Sequence, residues 1–116
     1  MNKDLPLFDI QQCTALLGSE KQAKQMMQIF MDELPQHQTQ IKQYATDETA
    51  SDLSDTLHAI IGASSYCGMP LLHHQLKQTH QTIKTSDTAK NAHSVRVLLK
   101  TIDLMLQTWQ STLDTF

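Results

Sequence analysis

The sequence predicts an all-α protein: an antiparallel up-down-up-down four-helix bundle with a short extra helix at its N-terminus. Three observations carry that prediction. Apolar residues recur three and four positions apart nearly throughout the 116 residues, which is the period of one helical face. Only 3 Gly and 3 Pro are present, too few for the turns an all-β chain of this length needs. Four long segments are amphipathic and joined by short polar connections, so each must bury its stripe against the others, with neighbours antiparallel.

The elements follow in order. Asp9 and Gln12 have capping-box spacing, and Ile10 to Leu17 reads as a short first helix. Gly18 suits the left-handed position just after it. Ser19 and Gln22 repeat the capping pattern and open a long helix with an apolar stripe at Ala23, Met26, Met27, Phe30, Leu34, Ile41, Tyr44 and Ala45. Pro35 lies inside that stripe, where it removes a backbone hydrogen bond and should bend the helix. The stripe keeps its register on both sides, so one bent helix is preferred over two helices breaking at Pro35. Asp47 to Ser51 is a polar loop. A third helix starts near Thr49 or Ser51, carries Leu53, Leu57, Ile60, Ile61 and Ser64, and stops near Cys67 with Gly68 as its terminator. Pro70 fits the first turn of a fourth helix, whose inward positions are Leu72, Leu76, Thr79 and Ile83. Thr85 to Thr88 is a polar turn with Ser86 or Asp87 as cap. The last helix carries Val95, Leu98, Ile102, Met105, Trp109, Leu113 and Phe116. The six Met read as gap-filling core residues.

Composition narrows the function. Hydrophobic residues are 40% of the chain and charged residues 18%, a balance that packs a core and does not suit disorder. The net charge is −3 and no basic stripe is visible, which argues against a nucleic-acid partner. No apolar run approaches a membrane span, and the first ten residues do not form a signal peptide, so direct membrane contact is not expected. Cys13 and Cys67 are too few for a disulfide framework, and a reducing cytoplasm with free thiols is the simplest setting. No Gly-rich phosphate loop is present.

The informative stretch is Leu57-His58-Ala59-Ile60-Ile61-Gly62-Ala63-Ser64-Ser65-Tyr66-Cys67-Gly68. His58 follows core residue Leu57 by about 100° of helix turn and so points outward, with Gly62 and Ser65 on its own face. A mid-helix glycine costs about 0.8–1 kcal/mol relative to alanine. Either another helix of this chain packs closely at Gly62, or a partner approaches the imidazole there. A solvent-facing neutral imidazole is a competent nucleophile near pH 7. Taken without context, an ordinary surface histidine is the preferred reading of His58. His73, His74, His80 and His93 invite a metal reading, but no two histidines stand four apart on a helix, and a solvated face is preferred. Asp52 and Asp55 suit the N-terminal end of the third helix dipole.

The chain resembles a histidine-containing phosphotransfer (HPt) domain. The pattern around that family's phosphorylated histidine is matched by His58, Ile60, Gly62, Ala63, Ser64 and Gly68. The stretch Ser64 to Leu72 looks similar to the C-terminal HPt domains of tripartite hybrid sensor kinases, and Phe30 to Pro35 to the family's F-x-x-x-L-P segment. The resemblance covers about residues 8–114 and implies a single domain over 1–116. It implies that His58 takes a phosphoryl group from a receiver-domain aspartate and passes it to a response-regulator aspartate. Gly62 would leave room for the docked receiver, and Ser65 would flank the site. No cofactor is implied for this chain; Mg belongs to the receiver. One residue departs from the pattern: Ile61 stands where the family commonly has Lys or Arg, so a local cation is missing unless Lys77 or Lys84 on the adjoining helix replaces it. That departure leaves open a module that docks a receiver without carrying phosphate. A metal-binding helical bundle is the more distant alternative.

Overall fold

A computed structural model of the chain describes residues 5–47, 50–84 and 88–116. These residues form five helices: α1 (Ile10–Leu17), α2 (Glu20–Thr46), α3 (Ala50–Ser64), α4 (Pro70–Thr82) and α5 (Thr88–Thr115). Among the described residues there is no strand. The all-helical class expected from the 3–4 spacing is therefore observed.

Local chemistry sets the first boundaries. The Asp9 carboxylate accepts from the Gln12 N–H at 3.0 Å, and Gly18 at φ 93° closes α1 by donating its N–H to the Thr14 carbonyl at 2.8 Å. Ser19 Oγ accepts from the Gln22 N–H at 3.1 Å to start α2. The reciprocal half of the first capping box is not made. The Asp9 N–H donates to the Gly68 carbonyl at 2.7 Å instead, and the Leu71 N–H donates to the Pro6 carbonyl at 3.2 Å. The N-terminal segment is thereby stitched to the α3–α4 connection.

Helix α2 runs unbroken through Pro35, so the two-helix alternative fails. Two of its positions differ from expectation. Met26 is 37% exposed, whereas Met31, absent from the expected stripe, is buried. The reason is tertiary: α2 packs on α3, on α5 and on α1, so its buried face is wider than one stripe. Helix α3 stops at Ser64, three residues before the expected Cys67, because the chain tightens into i→i−3 bonds from Tyr66 N–H to the Ala63 carbonyl and from Cys67 N–H to the Ser64 carbonyl. Pro70 opens α4 as its spacing suggests. Ile83 lies just past the end of α4 and is half-buried. The connections expected at Asp47–Ser51 and Thr85–Thr88, with the Ser86 or Asp87 cap, lie partly outside the described residues.

The four long helices pack in a ring, α2 on α3, α3 on α4, α4 on α5 and α5 on α2, while α1 lies on α2. The core between them holds Met27, Leu34, Ile41, Leu57, Ile60, Leu72, Leu76, Leu98, Ile102 and Met105. Trp109 closes one end: its Nε1–H donates to Gln28 Oε1 at 3.1 Å, and its ring meets Phe8 and Phe116 at centroid distances of 5.1 and 6.2 Å.

Gly68 carries the stitch. It sits at φ +65°, and a Cβ there would lie 2.2 Å from the Asp9 carbonyl oxygen. Gly18 also has positive φ but has open space around it. In urea unfolding, Gly18→Ala should cost about 1 kcal/mol, the conformational cost alone. Gly68→Ala should cost about 3 kcal/mol or more, because the backbone clash adds to it. Equal costs would show that the crossing at Gly68 contributes nothing.

Candidate functional site

The rotation of α3 about its axis is set by burial. Leu53, Leu57, Ile60 and Ser64 are buried, spaced four, three and four apart. Fully burying an aliphatic side chain is worth about 1.5–3 kcal/mol, so turning the helix by one residue would bring several such terms to water. His58, one position after Leu57, is thereby held in solvent. The exposed positions that follow it are Ala59, Gly62, Ala63, Ser65 and Tyr66. The histidine thus stands at the head of a strip with little side-chain bulk until Tyr66, which is 58% exposed.

Of the two explanations for Gly62, the geometry removes one. A Cβ at Gly62 would meet no atom within 4 Å, so none of the described elements packs there. Ser65 lies on the same side, but its hydroxyl donates to the Gly62 carbonyl at 2.7 Å and is committed to the helix end. Ile61 is half-buried and packs against the core cluster, so it sits at the edge of the exposed strip. Asp52 lies in the first turn of α3, as its dipole suggests, and Asp55 is exposed.

Helix α4 supplies neighbours whose histidines the sequence raised only as metal candidates. His80 Nε2 and Ser54 Oγ are 3.1 Å apart, and the His80 and His58 ring centroids are separated by 5.9 Å. At the other end of the seam, Ser64 Oγ and His73 Nδ1 are 2.9 Å apart, and the same hydroxyl donates to the Ile61 carbonyl. The two pairs show α3 and α4 running in opposite directions. In such a pair a step up one helix matches a step down the other, so the residue facing His58 falls near His80. That register was the signal available in the sequence. The two lysines separate accordingly: Lys77 acts on His73 and Lys84 on His80, which puts Lys84 on the His58 side.

Burial, with Lys77 and His74 adding, lowers the His73 pKa against a smaller opposing effect of the Ile61 carbonyl. Burial, with Lys84 and His58 adding, lowers that of His80. The cysteines are not nucleophiles here. Burial pushes the Cys67 thiol up to about 11, with Cys13 and Glu33 adding to the rise, and burial raises Cys13 as well. Among the described residues no group of three or more His, Cys, Asp or Glu side chains is placed to hold a metal ion. No described helix is long and apolar enough to cross a membrane.

Two outcomes follow from this geometry. Gly62→Ala should stabilise the fold by about 0.5–1 kcal/mol in urea unfolding, since it removes the helical penalty of glycine and meets open space. A destabilised variant would show that the position is packed. Because both histidines have folded pKa values below their unfolded ones, the unfolded chain binds more protons in acid. Stability should therefore be complete above about pH 7 and fall as the pH drops toward about 5. His73→Gln should flatten that slope, and an unchanged slope would contradict the burial effect on His73.

The sequence model of one family, the Hpt domain, matches residues 25–112. No curated protein and no solved structure matches the chain.

Proposed function

The chain belongs to the Hpt domain family, and from that premise we propose that His58 is its phosphoacceptor. Hpt domains are phosphocarriers of two-component signalling, work with receiver domains and response regulators, and have no catalytic activity of their own. The finer reading is that His58 takes its phosphoryl group from a receiver aspartate and delivers it to a response-regulator aspartate. The observation that carries this reading is the exposed imidazole beside Gly62, where open space meets any approaching surface.

The transfer balances simply. The unprotonated ring nitrogen of His58 attacks phosphorus in line. The N–P bond forms as the P–O bond to the receiver aspartate breaks, and the carboxylate leaves with the electron pair. The ring keeps its other N–H. The reverse sequence loads the next aspartate. Metal ion and acid pocket are the receiver's, Mg in this reading, and the chain needs no ATP site. Gly62 admits the docked domain. Ser65 and Ile61 border the approach: Ser65 by shaping the end of α3, Ile61 as an apolar contact where a cation is commoner. The ring of helix packing, with α2–α5 bonds such as Lys24 to Phe116 and Trp109 to Gln28, supports an up-down-up-down order of the long helices around one domain. The setting that suits these partners is the cytoplasm, with neither nucleic acid nor membrane in contact.

The test is incubation with a phosphorylated receiver. Wild type should acquire an acid-labile, alkali-stable phosphoryl group, and His58→Gln should acquire none while keeping its fold by circular dichroism. The departure at Ile61 favours one rival, a docking module that carries no phosphate. Receiver binding without any transfer to wild type would establish that rival and end the carrier reading.

A further inference from the structure

The carrier reading leaves a second imidazole at the site unused. His80, in the last turn of α4, stands across the seam from His58 with its ring tilted 36° to it. Ser54, one turn before His58 on α3, holds His80 through Nε2. A hydroxyl can donate or accept, so this bond survives whether His80 is neutral or protonated. The ring can gain a proton without losing its anchor, and Nδ1 remains as a second donor.

We propose that His80 is the cation of the phosphoryl site: as an imidazolium it binds the phosphoryl group carried on His58 and supplies the charge that Ile61 cannot. This rests on the carrier reading of His58. The groups around His80 define when the charge is present. From α3 come His58 and the neutral Ser54 hydroxyl, with Asp55 exposed one residue beyond Ser54. From its own chain comes Lys84. Helix α5 meets α4 through Thr79, whose hydroxyl lies 3.5 Å from the Ser94 carbonyl, and no α5 group is among those that shift His80. The carbonyl end of α4 favours a cation at His80, while burial, Lys84 and His58 disfavour it. In the unloaded protein the second set wins and the ring is neutral near pH 7.

Loading reverses the balance. A phosphoryl group brings up to about two negative charges beside the ring, and a near opposite charge raises a histidine pKa. His80 then takes a proton from solvent, and releases it when the phosphoryl group departs. Coupling is reciprocal: whatever the phosphoryl group does for the proton, the proton does for the phosphoryl group. The site therefore holds its cargo with a charge that is absent from the empty state.

Phosphoramidate can load the chain without a receiver, and the histidine rings can be titrated by NMR before and after. The His80 midpoint should rise by about one pH unit or more on loading of wild type, and should not move in His58→Gln. The lifetime of the phosphoryl group, followed by 31P NMR, should be about threefold or more shorter in His80→Gln than in wild type at pH 6.5, with the two agreeing near pH 9. His80→Lys should restore the lifetime at pH 6.5. A loaded wild type whose His80 titration does not move, or lifetimes that agree at both pH values, would overturn this inference and leave the carrier reading intact. A wild-type chain that takes no phosphoryl group at all would remove both.

Discussion

Everything at the site depends on how α3 is clamped between α2 and α4. Leu57 and Ile60 lie in the core with essentially no exposure, and Leu53 and Ser64 continue their row. A helix has one rotational setting that buries such a row, and the energy holding it there is several multiples of the thermal energy. That setting decides what faces water. His58 is outside because Leu57 is inside, and Gly62 is outside because Ile60 and Ser64 are inside. The site is thus a consequence of core packing read on the opposite side of the same helix.

A glycine in the middle of an exposed helical face is a local loss without local return. None of the described residues occupies the space above it, and on the proposed reading the loss is offset by something outside the chain. Hpt domains work with receiver domains, and on the proposed reading such a domain is what approaches Gly62. The two remaining structural glycines serve the fold instead. Gly18 ends α1, and Gly68 lets the N-terminal segment cross the α3–α4 turn at hydrogen-bonding distance. The three glycines thus differ: Gly62 faces open space in mid-helix, while Gly18 and Gly68 hold left-handed backbone.

Much of this was legible in the sequence because its causes are local. The ends of α1 and the start of α2 follow from Asp9, Gly18 and Ser19, whose side chains or backbone freedom act within four residues. The outward setting of His58 follows from the spacing of four apolar residues on one helix. What was not legible depends on which helix lies against which. Met31 is buried because α2 has three neighbours, and a single stripe cannot express that. Gln12 does not complete its capping box because the Asp9 N–H is taken by Gly68, a partner 59 positions away in the chain. The place of His80 beside His58 was not legible for the same reason: on its own helix it is one of several histidines that invite only a metal reading, and it acquires meaning from Ser54 and His58 across the seam.

On the proposed reading the bare spot at Gly62 exists for a visiting domain and not for this chain's own packing. The measurement that addresses it most directly is the rate of phosphoryl transfer from a phosphorylated receiver to Gly62→Leu, taken beside the variant's stability in urea. Open space at this position predicts a fold at least as stable as the parent and a transfer rate lower by about tenfold or more, because reacting groups kept apart lose their alignment. A leucine that leaves the transfer rate unchanged would contradict the account.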